Sequence, residues 1–251
     1  MKNLSNYFAL FAVSAVVLLA TGCQSPHHRC CTMTGCGTGP APVSAMSTQA
    51  AQAAMTPQLA LAELQAGNAR FVAGKPLVRD FPAQVQATAA GQYPFAVVLS
   101  CLDSRQPIEI VLDQGVGDIF SARVAGNVLD DDILGSLEFA CKASGAKLIA
   151  VIGHSNCGAI KGAVDGVQLG NLTGLLARIQ PAMDAVPPGI QPRTSKNYAF
   201  VNQVAEANVR LVMQQIRERS PILRAMLDSG QIGLVGGMYD LATGKVQFYE
   251  K

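Results

Sequence analysis

The composition of this 251-residue chain limits the classes of protein to which it can belong. Hydrophobic residues make up 49% of the sequence and charged residues 14%, which supplies enough apolar material for one sizeable core and excludes a disordered protein. The 19 basic and 17 acidic residues are dispersed and leave a net charge of +2. We therefore expect a small-molecule partner and no nucleic acid.

Residues 1–23 have the features of a secretory signal. Lys2 precedes an apolar run from about Tyr7 to Ala20, and small residues lead to Cys23. The run is shorter than the ~20 residues needed to cross a bilayer. The stretch ATGC (20–23) resembles a bacterial lipobox, which would make Cys23 a lipidated N-terminus, and the alternative is an ordinary signal peptide cleaved nearby. Both predict export to the periplasm, in the first case as a membrane-anchored lipoprotein.

Residues 24–55 predict a flexible linker, because they are rich in Gly, Pro, Ser, Thr and Ala and lack a sustained helical or strand period. Their histidines and cysteines resemble a metal cluster: His27, His28, Cys30, Cys31 and Cys36. A thiolate site needs fixed ligand geometry, however, and cysteines of an exported segment also form disulfides. A linker is therefore favoured over a metal site.

The remaining residues, 56–251, predict one domain that opens with a helical arm. Thr56 and Pro57 indicate a helix N-terminus, and leucines supply an apolar face that continues to Gly74. Three apolar runs follow, FAVVLSC from Phe95, DIFSARV from Asp118 and KLIAVIG from Lys147. Since they do not alternate, they predict strands covered on both faces.

Helical patterns separate and follow these strands. They span 107–113, 130–144, 171–181 and 195–219. QIGLVGGMYD (231–240) predicts a further strand, and KVQFY after the Thr243-Gly244 turn predicts an edge strand. The alternation predicts an α/β fold, with a mainly parallel sheet of about four strands plus an antiparallel edge strand, flanked by helices. Ligands of such sheets bind at the carboxyl ends of the strands.

Two predicted strand ends carry reactive side chains, SCLDSR (100–105) and GHSNCG (153–158). Cys101, His154 and Cys157 form a Cys₂His set that suits zinc and leaves one tetrahedral position for a water, whose pKa falls towards ~7. Asp103 could be a fourth ligand in a closed form of the site, or accept a proton from that water. Arg105 is suitably spaced to hold Asp103 in a bidentate ion pair.

Each of these residues also has a purely structural interpretation. The cysteines and His154 could fill the core, and Asp103 with Arg105 could be an ordinary ion pair in a turn. HxxC alone and CxDxR alone are weak signals, but together at consecutive strand ends they favour a metal site. Cys141, on a helix face, is interpreted as a core residue.

The motifs CLDSR (101–105) and HSNC (154–157) resemble those of the β-class carbonic anhydrases. The similarity covers residues 56–250, including GNARF (67–71), GDIFSARVAGN (117–127) and MYDLATGKV (238–246). The resemblance implies reversible hydration of carbon dioxide to bicarbonate and a proton, at one zinc ion per subunit. It implies that Cys101, His154 and Cys157 bind the zinc and that Asp103 and Arg105 orient the nucleophile.

The same resemblance implies a substrate pocket. In it the Gln92 amide would bind the substrate, Phe120 and Phe139 would form an apolar wall, and the Gly158 N–H would donate to a bound anion. It also implies a homodimer or a dimer of dimers, in which the N-terminal helix embraces the partner and both chains contribute to each pocket. A subgroup that places the aspartate on zinc has Trp and Gly where this chain has Val98 and Ser100, which favours an open site here.

Three other functions remain open from the sequence. The same scaffold and zinc could hydrolyse carbonyl sulfide or carbon disulfide. An inactive zinc- or bicarbonate-binding protein is disfavoured by the presence of Asp103, Arg105 and Gln92, which zinc binding does not need. A thiol redox protein is suggested by seven cysteines in an exported chain, but Cys101 and Cys157 lack the CxxC spacing common in such proteins.

Overall fold

The computed structural model describes residues 47–249, which fold around a five-stranded sheet. The strands are β1 (Ala96–Ser100), β2 (Ile119–Arg123), β3 (Leu148–His154), β4 (Gly233–Tyr239) and β5 (Val246–Phe248). Their order is β2-β1-β3-β4-β5, in which neighbouring strands are parallel except for the antiparallel pair β4 and β5. The predicted sheet of four parallel strands with an antiparallel edge is confirmed.

Helices cover both faces of this sheet. Residues 47–249 contain α1 (Gln49–Ala54), α2 (Pro57–Val72), α3 (Phe81–Thr88), α4 (Ile108–Val111), α5 (Asp131–Glu138), α6 (Gly158–Val164), α7 (Gly170–Ala177), α8 (Gln180–Ala185), α9 (Tyr198–Arg219) and α10 (Pro221–Asp228). The predicted helix over 130–144 is α5 followed by a π-helical turn, Phe139–Ala143, and the one over 171–181 is divided between α7 and α8. Within the described residues, no helix is both long enough and apolar enough to cross a membrane.

The central strands β1 and β3 are buried along their whole length, as their continuous apolar runs predict. Successive side chains of a strand point to opposite faces, and β1 therefore serves two cores. Val97 and Leu99 pack in the core that contains α9, whereas Ala96 and Val98 pack in the core that contains α2. The sheet thus fixes the positions of the residues that follow β1 and β3.

Strand β2 differs from β1 and β3. It lies at the edge of the sheet and pairs only with β1, and its Ser121 and Arg123 are exposed. The prediction that this strand is covered on both faces is therefore wrong. A short apolar run cannot distinguish a central strand from an edge strand, because the run does not specify what packs against it.

The helical arm begins as predicted. Thr56 is the N-cap of α2 and accepts a hydrogen bond from the Leu59 N–H, and Pro57 takes the first helical position. The preceding residues correct the linker prediction, since α1 lies within 24–55. Its Gln52 Nε2 donates to the carbonyls of Pro94 (2.8 Å) and Ser144 (2.7 Å).

The remaining predictions for the N-terminal part concern residues outside the described range. They are the signal sequence, the lipidation of Cys23, and the state of His27, His28, Cys30, Cys31 and Cys36.

Candidate metal centre

The two cysteine motifs lie side by side at one edge of the sheet. Cys101 follows the last residue of β1, and His154 is the last residue of β3. Because β1 and β3 are parallel neighbours with Ser100 opposite Ile152, their carboxyl ends meet at the same edge. The sequence predicted this proximity, and it is confirmed.

Cys101, His154 and Cys157 form a buried cluster that could hold a metal ion. Their two sulfur atoms and a ring nitrogen of His154 all lie within 4.8 Å of one another. The Nδ1 atom of His154 lies 2.9 Å from the Ser155 carbonyl, to which the protonated Nδ1 donates, whereas Nε2 is buried and lacks a hydrogen-bond partner among the described residues. A tetrahedral zinc ion has bonds of about 2.3 Å to sulfur and about 2.0 Å to nitrogen, and this donor set therefore fits zinc.

The two thiols of this cluster differ in acidity. The Cys101 sulfur accepts hydrogen bonds from the Cys157 thiol and from the Gly126 N–H, and these lower the pKa of Cys101 to about 4. Because Cys157 donates to Cys101 and is buried, its own pKa is raised. A bound cation would stabilise both thiolates, because cysteine ligands bind a metal in the deprotonated form.

Asp103 and Arg105 form the bidentate pair that their spacing suggested. Nε of Arg105 donates to Oδ1 of Asp103 at 2.9 Å and Nη2 donates to Oδ2 at 2.7 Å. These hydrogen bonds lower the pKa of Asp103 to about 2, so that the carboxylate is ionised at neutral pH. Its Oδ2 also lies 3.8 Å from Nε2 of His154, which places the carboxylate next to the metal-binding cluster.

Two further residues hold the loop after β1, and the sequence analysis did not identify either role. Arg123 of β2 donates to the carbonyls of Cys101 (3.1 Å) and Asp103 (2.6 Å). The Gly126 N–H donates to the Cys101 sulfur at 3.3 Å. Gly126 has φ +66, a left-handed conformation that favours glycine. Both residues lie in GDIFSARVAGN (117–127), one of the stretches that resemble the family.

Comparison with known proteins identifies the family. A family model described as "Carbonic anhydrase" matches residues 96–246, from the first residue of β1 to the first residue of β5. "Carbonic anhydrase 2" of Mycobacterium tuberculosis is 34% identical over 193 residues, covering 75% of this chain and 91% of that protein. The "Carbonic anhydrase" of Mycolicibacterium smegmatis is 36% identical over 192 residues, covering 76% and 92%. The crystal structure of a β-carbonic anhydrase of Aspergillus fumigatus is 25% identical, with a TM-score of 0.58, and covers 77% of this chain and 90% of that one.

The chain belongs to the β-class carbonic anhydrase family. It is therefore an enzyme of carbon dioxide hydration, as the two motifs implied. The alternatives that keep the scaffold but change the substrate or abolish catalysis are not better supported, since the similarity to a "Carbon disulfide hydrolase" of Acidithiobacillus thiooxidans covers 26% of this chain.

Gln92, one of the predicted pocket residues, lies far from the metal-binding cluster of its own chain. Gln92 is exposed and precedes β1, whereas Cys101 follows β1, and five strand residues alone span about 16 Å. A Gln92 side chain cannot reach across that distance. Its predicted contact with substrate remains a prediction that requires a second chain.

The two predicted wall residues lie together but away from the end of β1. The rings of Phe120 and Phe139 meet edge to face, with centroids 6.1 Å apart. Phe120 lies opposite Val97, four residues before Cys101. Gly158, in contrast, is beside the cluster, because it directly follows Cys157 as the first residue of α6 and is exposed.

Cys141 lies outside the metal cluster and is a core residue, as predicted. It is 2% exposed and packs in the core that contains α9. Burial raises the pKa of its thiol to about 12, which makes it an unreactive side chain at neutral pH.

Proposed function

We propose that each subunit binds one zinc ion through Cys101, His154 and Cys157 and uses it to hydrate carbon dioxide reversibly to bicarbonate and a proton. The observation that carries this assignment is the buried cluster at the ends of β1 and β3, where the lone pair of His154 Nε2 has no partner in the part of the chain that the structure describes. A bound zinc ion supplies a hydroxide nucleophile near neutral pH, because it lowers the pKa of water.

Asp103 orients that nucleophile by accepting a hydrogen bond from it. The carboxylate suits this role because its pKa lies far below neutrality and it is adjacent to the cluster. Arg105 donates to Oδ1 from its backbone N–H and Nε and to Oδ2 from Nη2, which fixes the plane of the carboxylate. To become a zinc ligand Asp103 would have to give up this pairing, and we therefore assign an open site near neutral pH.

The substrate pocket is completed by a second copy of the chain. The strand edge of β2 is unpaired within residues 47–249, and such an edge is ordinarily covered in a stable protein. A homodimer, or a dimer of dimers, would allow Gln92 and the pair of Phe120 and Phe139 to face the metal centre of the partner subunit. The exposed Gly158 N–H would donate to the product anion.

The N-terminal sequence supports export to the periplasm and attachment to the membrane through a lipid on Cys23. The support is the basic residue followed by the apolar run and ATGC (20–23). If this is correct, cells expressing the Cys23→Ala variant will lose the protein from the membrane fraction. Wild-type protein that is fully soluble after cell fractionation would contradict it.

The central test is stopped-flow hydration of carbon dioxide by the purified full-length protein, with zinc content measured on the same sample. We expect one zinc per chain and rapid hydration in the wild type. Cys157→Ser should lose both zinc and activity, because a serine hydroxyl is a poor substitute for a thiolate ligand. Cys141→Ser is the matched control, a buried cysteine outside the cluster, and should keep both.

Two outcomes would contradict this assignment. A fully zinc-loaded wild type that does not hydrate carbon dioxide would leave zinc binding without the proposed reaction. Unchanged zinc content in Cys157→Ser would exclude Cys157 from the ligand set. Carbonyl sulfide is assayed in parallel, and faster turnover of that substrate would favour the alternative hydrolase.

A further inference from the structure

Helix α9 packs against the edge of the sheet that carries the metal-binding cluster. The approach is close, since a methyl group at Gly153 would lie 2.8 Å from Cγ2 of Val209. Gly153 directly precedes His154. The helix therefore lies next to the backbone that presents a metal ligand, and its polar side chains can contact the ligand loops.

Asn208 of α9 holds the loop that donates to Cys101. Its Nδ2 donates to the Gly126 carbonyl at 2.8 Å, and the Gly126 N–H donates to the Cys101 sulfur at 3.3 Å. The hydrogen bond anchors the peptide plane on one side of the Gly126 Cα, and this limits the movement of the N–H on the other side. Asn208 thus acts on Cys101 through a single glycine.

The position of Asn208 is costly if its only role is to fill the core. It is the polar residue among the buried residues of α9 and is 1% exposed. Its Oδ1 is buried and has no hydrogen-bond partner among residues 47–249. Burial of an unpaired amide oxygen is unfavourable, whereas an aliphatic side chain of similar size would bury no unpaired group of its own. The hydrogen bond to Gly126 is what an aliphatic residue could not supply.

Asn202 makes the corresponding contact with the other ligand loop. Its Oδ1 accepts a hydrogen bond from the Asn156 N–H at 2.9 Å. Asn156 lies between His154 and Cys157 and has φ +55, a conformation that is unfavourable for most residues. Asn202 and Asn208 are six residues apart, about 9 Å along the helix axis, and each holds one of the two loops.

We infer that Asn208 and Asn202 are positioning residues of the metal centre, which α9 uses to hold both ligand loops in a binding geometry. The inference rests on the zinc site proposed above. Hydrogen bonds that orient metal ligands typically change metal affinity by about 10- to 100-fold. Loss of the Asn208 contact should therefore speed the release of zinc, and loss of the part-exposed Asn202 contact should do so to a smaller degree.

The test measures zinc release from the full-length zinc-loaded protein into an excess of chelator. We expect Asn208→Leu to release zinc about 10- to 100-fold faster than the wild type. After replacement of zinc by Co²⁺, the sulfur-to-cobalt absorption band of this variant should shift, because the Cys101 thiolate has lost an oriented donor. Val212→Ala is the matched control, since Val212 is also buried on α9 but packs in the core away from both loops.

A second pair of variants tests Asn202 and does not depend on Asn208→Leu being folded. Asn202→Leu removes the acceptor oxygen and should speed zinc release, whereas Asn202→Asp keeps an acceptor and should restore the wild-type rate. Denaturation midpoints of the metal-free proteins are measured alongside. A purely structural role predicts that zinc release follows these midpoints, with Val212→Ala affected as strongly as the asparagine variants.

That result would overturn the inference, as would wild-type release rates with an unshifted cobalt band in Asn208→Leu and Asn202→Leu. Failure of the proposed function is distinguishable from both results. If the wild type binds no zinc, the zinc site and this inference fall together. If the wild type binds zinc and hydrates carbon dioxide, and the asparagine variants release zinc at the wild-type rate, the proposed function stands and only the positioning role of Asn208 and Asn202 is contradicted.

Discussion

Asp103 and Asp113 are both held by arginine side chains, and their surroundings differ. Asp103 pairs with Arg105 two residues away in the same turn, and the arginine side chain is 54% exposed. Asp113 follows α4 and is 3% exposed. It pairs with Arg79, which is also buried, and with Arg70 of α2 at 2.5 Å. The first pair is local and faces the metal cluster, whereas the second joins separate segments of the chain.

A lowered pKa does not distinguish the two aspartates. Burial alone would raise the pKa of Asp113, but hydrogen bonds from Arg70 and Arg79 outweigh it and lower the pKa. The Leu77 N–H donates to Asp113 as well. Because Asp113 is surrounded by donors of the fold, no reactant can use it. Asp103 has the same kind of partner but lies 3.8 Å from His154, and this position makes its carboxylate available for chemistry.

The largest expected effect is on the rate of Asp103→Ala. We expect kcat for hydration to fall by about 10²- to 10⁴-fold, because the variant loses the group that orients the nucleophile and accepts its hydrogen bond. Zinc content should be unchanged, and the free energy of unfolding should change by less than about 1 kcal/mol, since the partner Arg105 is exposed. Stopped-flow kinetics, metal analysis and urea denaturation measure the three quantities. Loss of zinc in this variant would make Asp103 a ligand.

Asp113→Ala should show the opposite pattern. Removal of the carboxylate leaves the buried Arg79 guanidinium without its charged partner, and the free energy of unfolding should fall by about 3 to 5 kcal/mol. The rate per bound zinc should stay at the wild-type value, since Asp113 does not touch the cluster. Urea denaturation at one fixed protein concentration measures the first quantity. A loss of kcat without a loss of stability in Asp113→Ala would contradict the assignment of a structural role to Asp113 and a catalytic role to Asp103.

Arg105→Ala should have a smaller effect than Asp103→Ala. The carboxylate remains but loses the two hydrogen bonds that fix its plane, and we expect kcat to fall about tenfold, equivalent to about 1.4 kcal/mol. Arg105→Lys should recover part of the rate, because an ammonium group keeps the charge but not the bidentate geometry. If both variants are as slow as Asp103→Ala, Arg105 contributes more than orientation.

The smallest expected effect is the pH dependence of the Asp113 contribution. The pKa of Asp113 is lower in the folded chain than in the unfolded chain, where it is about 3.9. Its stabilisation is therefore complete above about pH 4 and is lost as the pH falls towards the folded pKa. The difference in free energy of unfolding between the wild type and Asp113→Asn should be constant from pH 7 to 5 and shrink below pH 4. A difference that grows with acidity would contradict this assignment.

The sequence predicts the parts of this molecule that depend on local pattern. Continuous apolar runs identify β1 and β3, and the motifs that follow them identify the metal-binding cluster. Contacts between distant segments are not visible in such patterns. Helix α1 is only six residues long, and Gln52 holds it to Pro94 and Ser144, which precede β1 and β3. The role of Asn208 depends on the Gly126 carbonyl, 82 residues away in the sequence. The separation of Gln92 from Cys101 also required the observed position of β1.

The contacts of α1 have a practical consequence for attaching this enzyme to other materials. Ser47 and Gln52 bond to residues that precede β1, β2 and β3, namely Tyr93, Pro94, Asp118 and Ser144. The chain therefore enters the folded domain at the edge of the sheet opposite Cys101 and His154. A protein or a solid support joined directly to Ser47 would therefore be attached at the edge of the sheet opposite the metal-binding cluster.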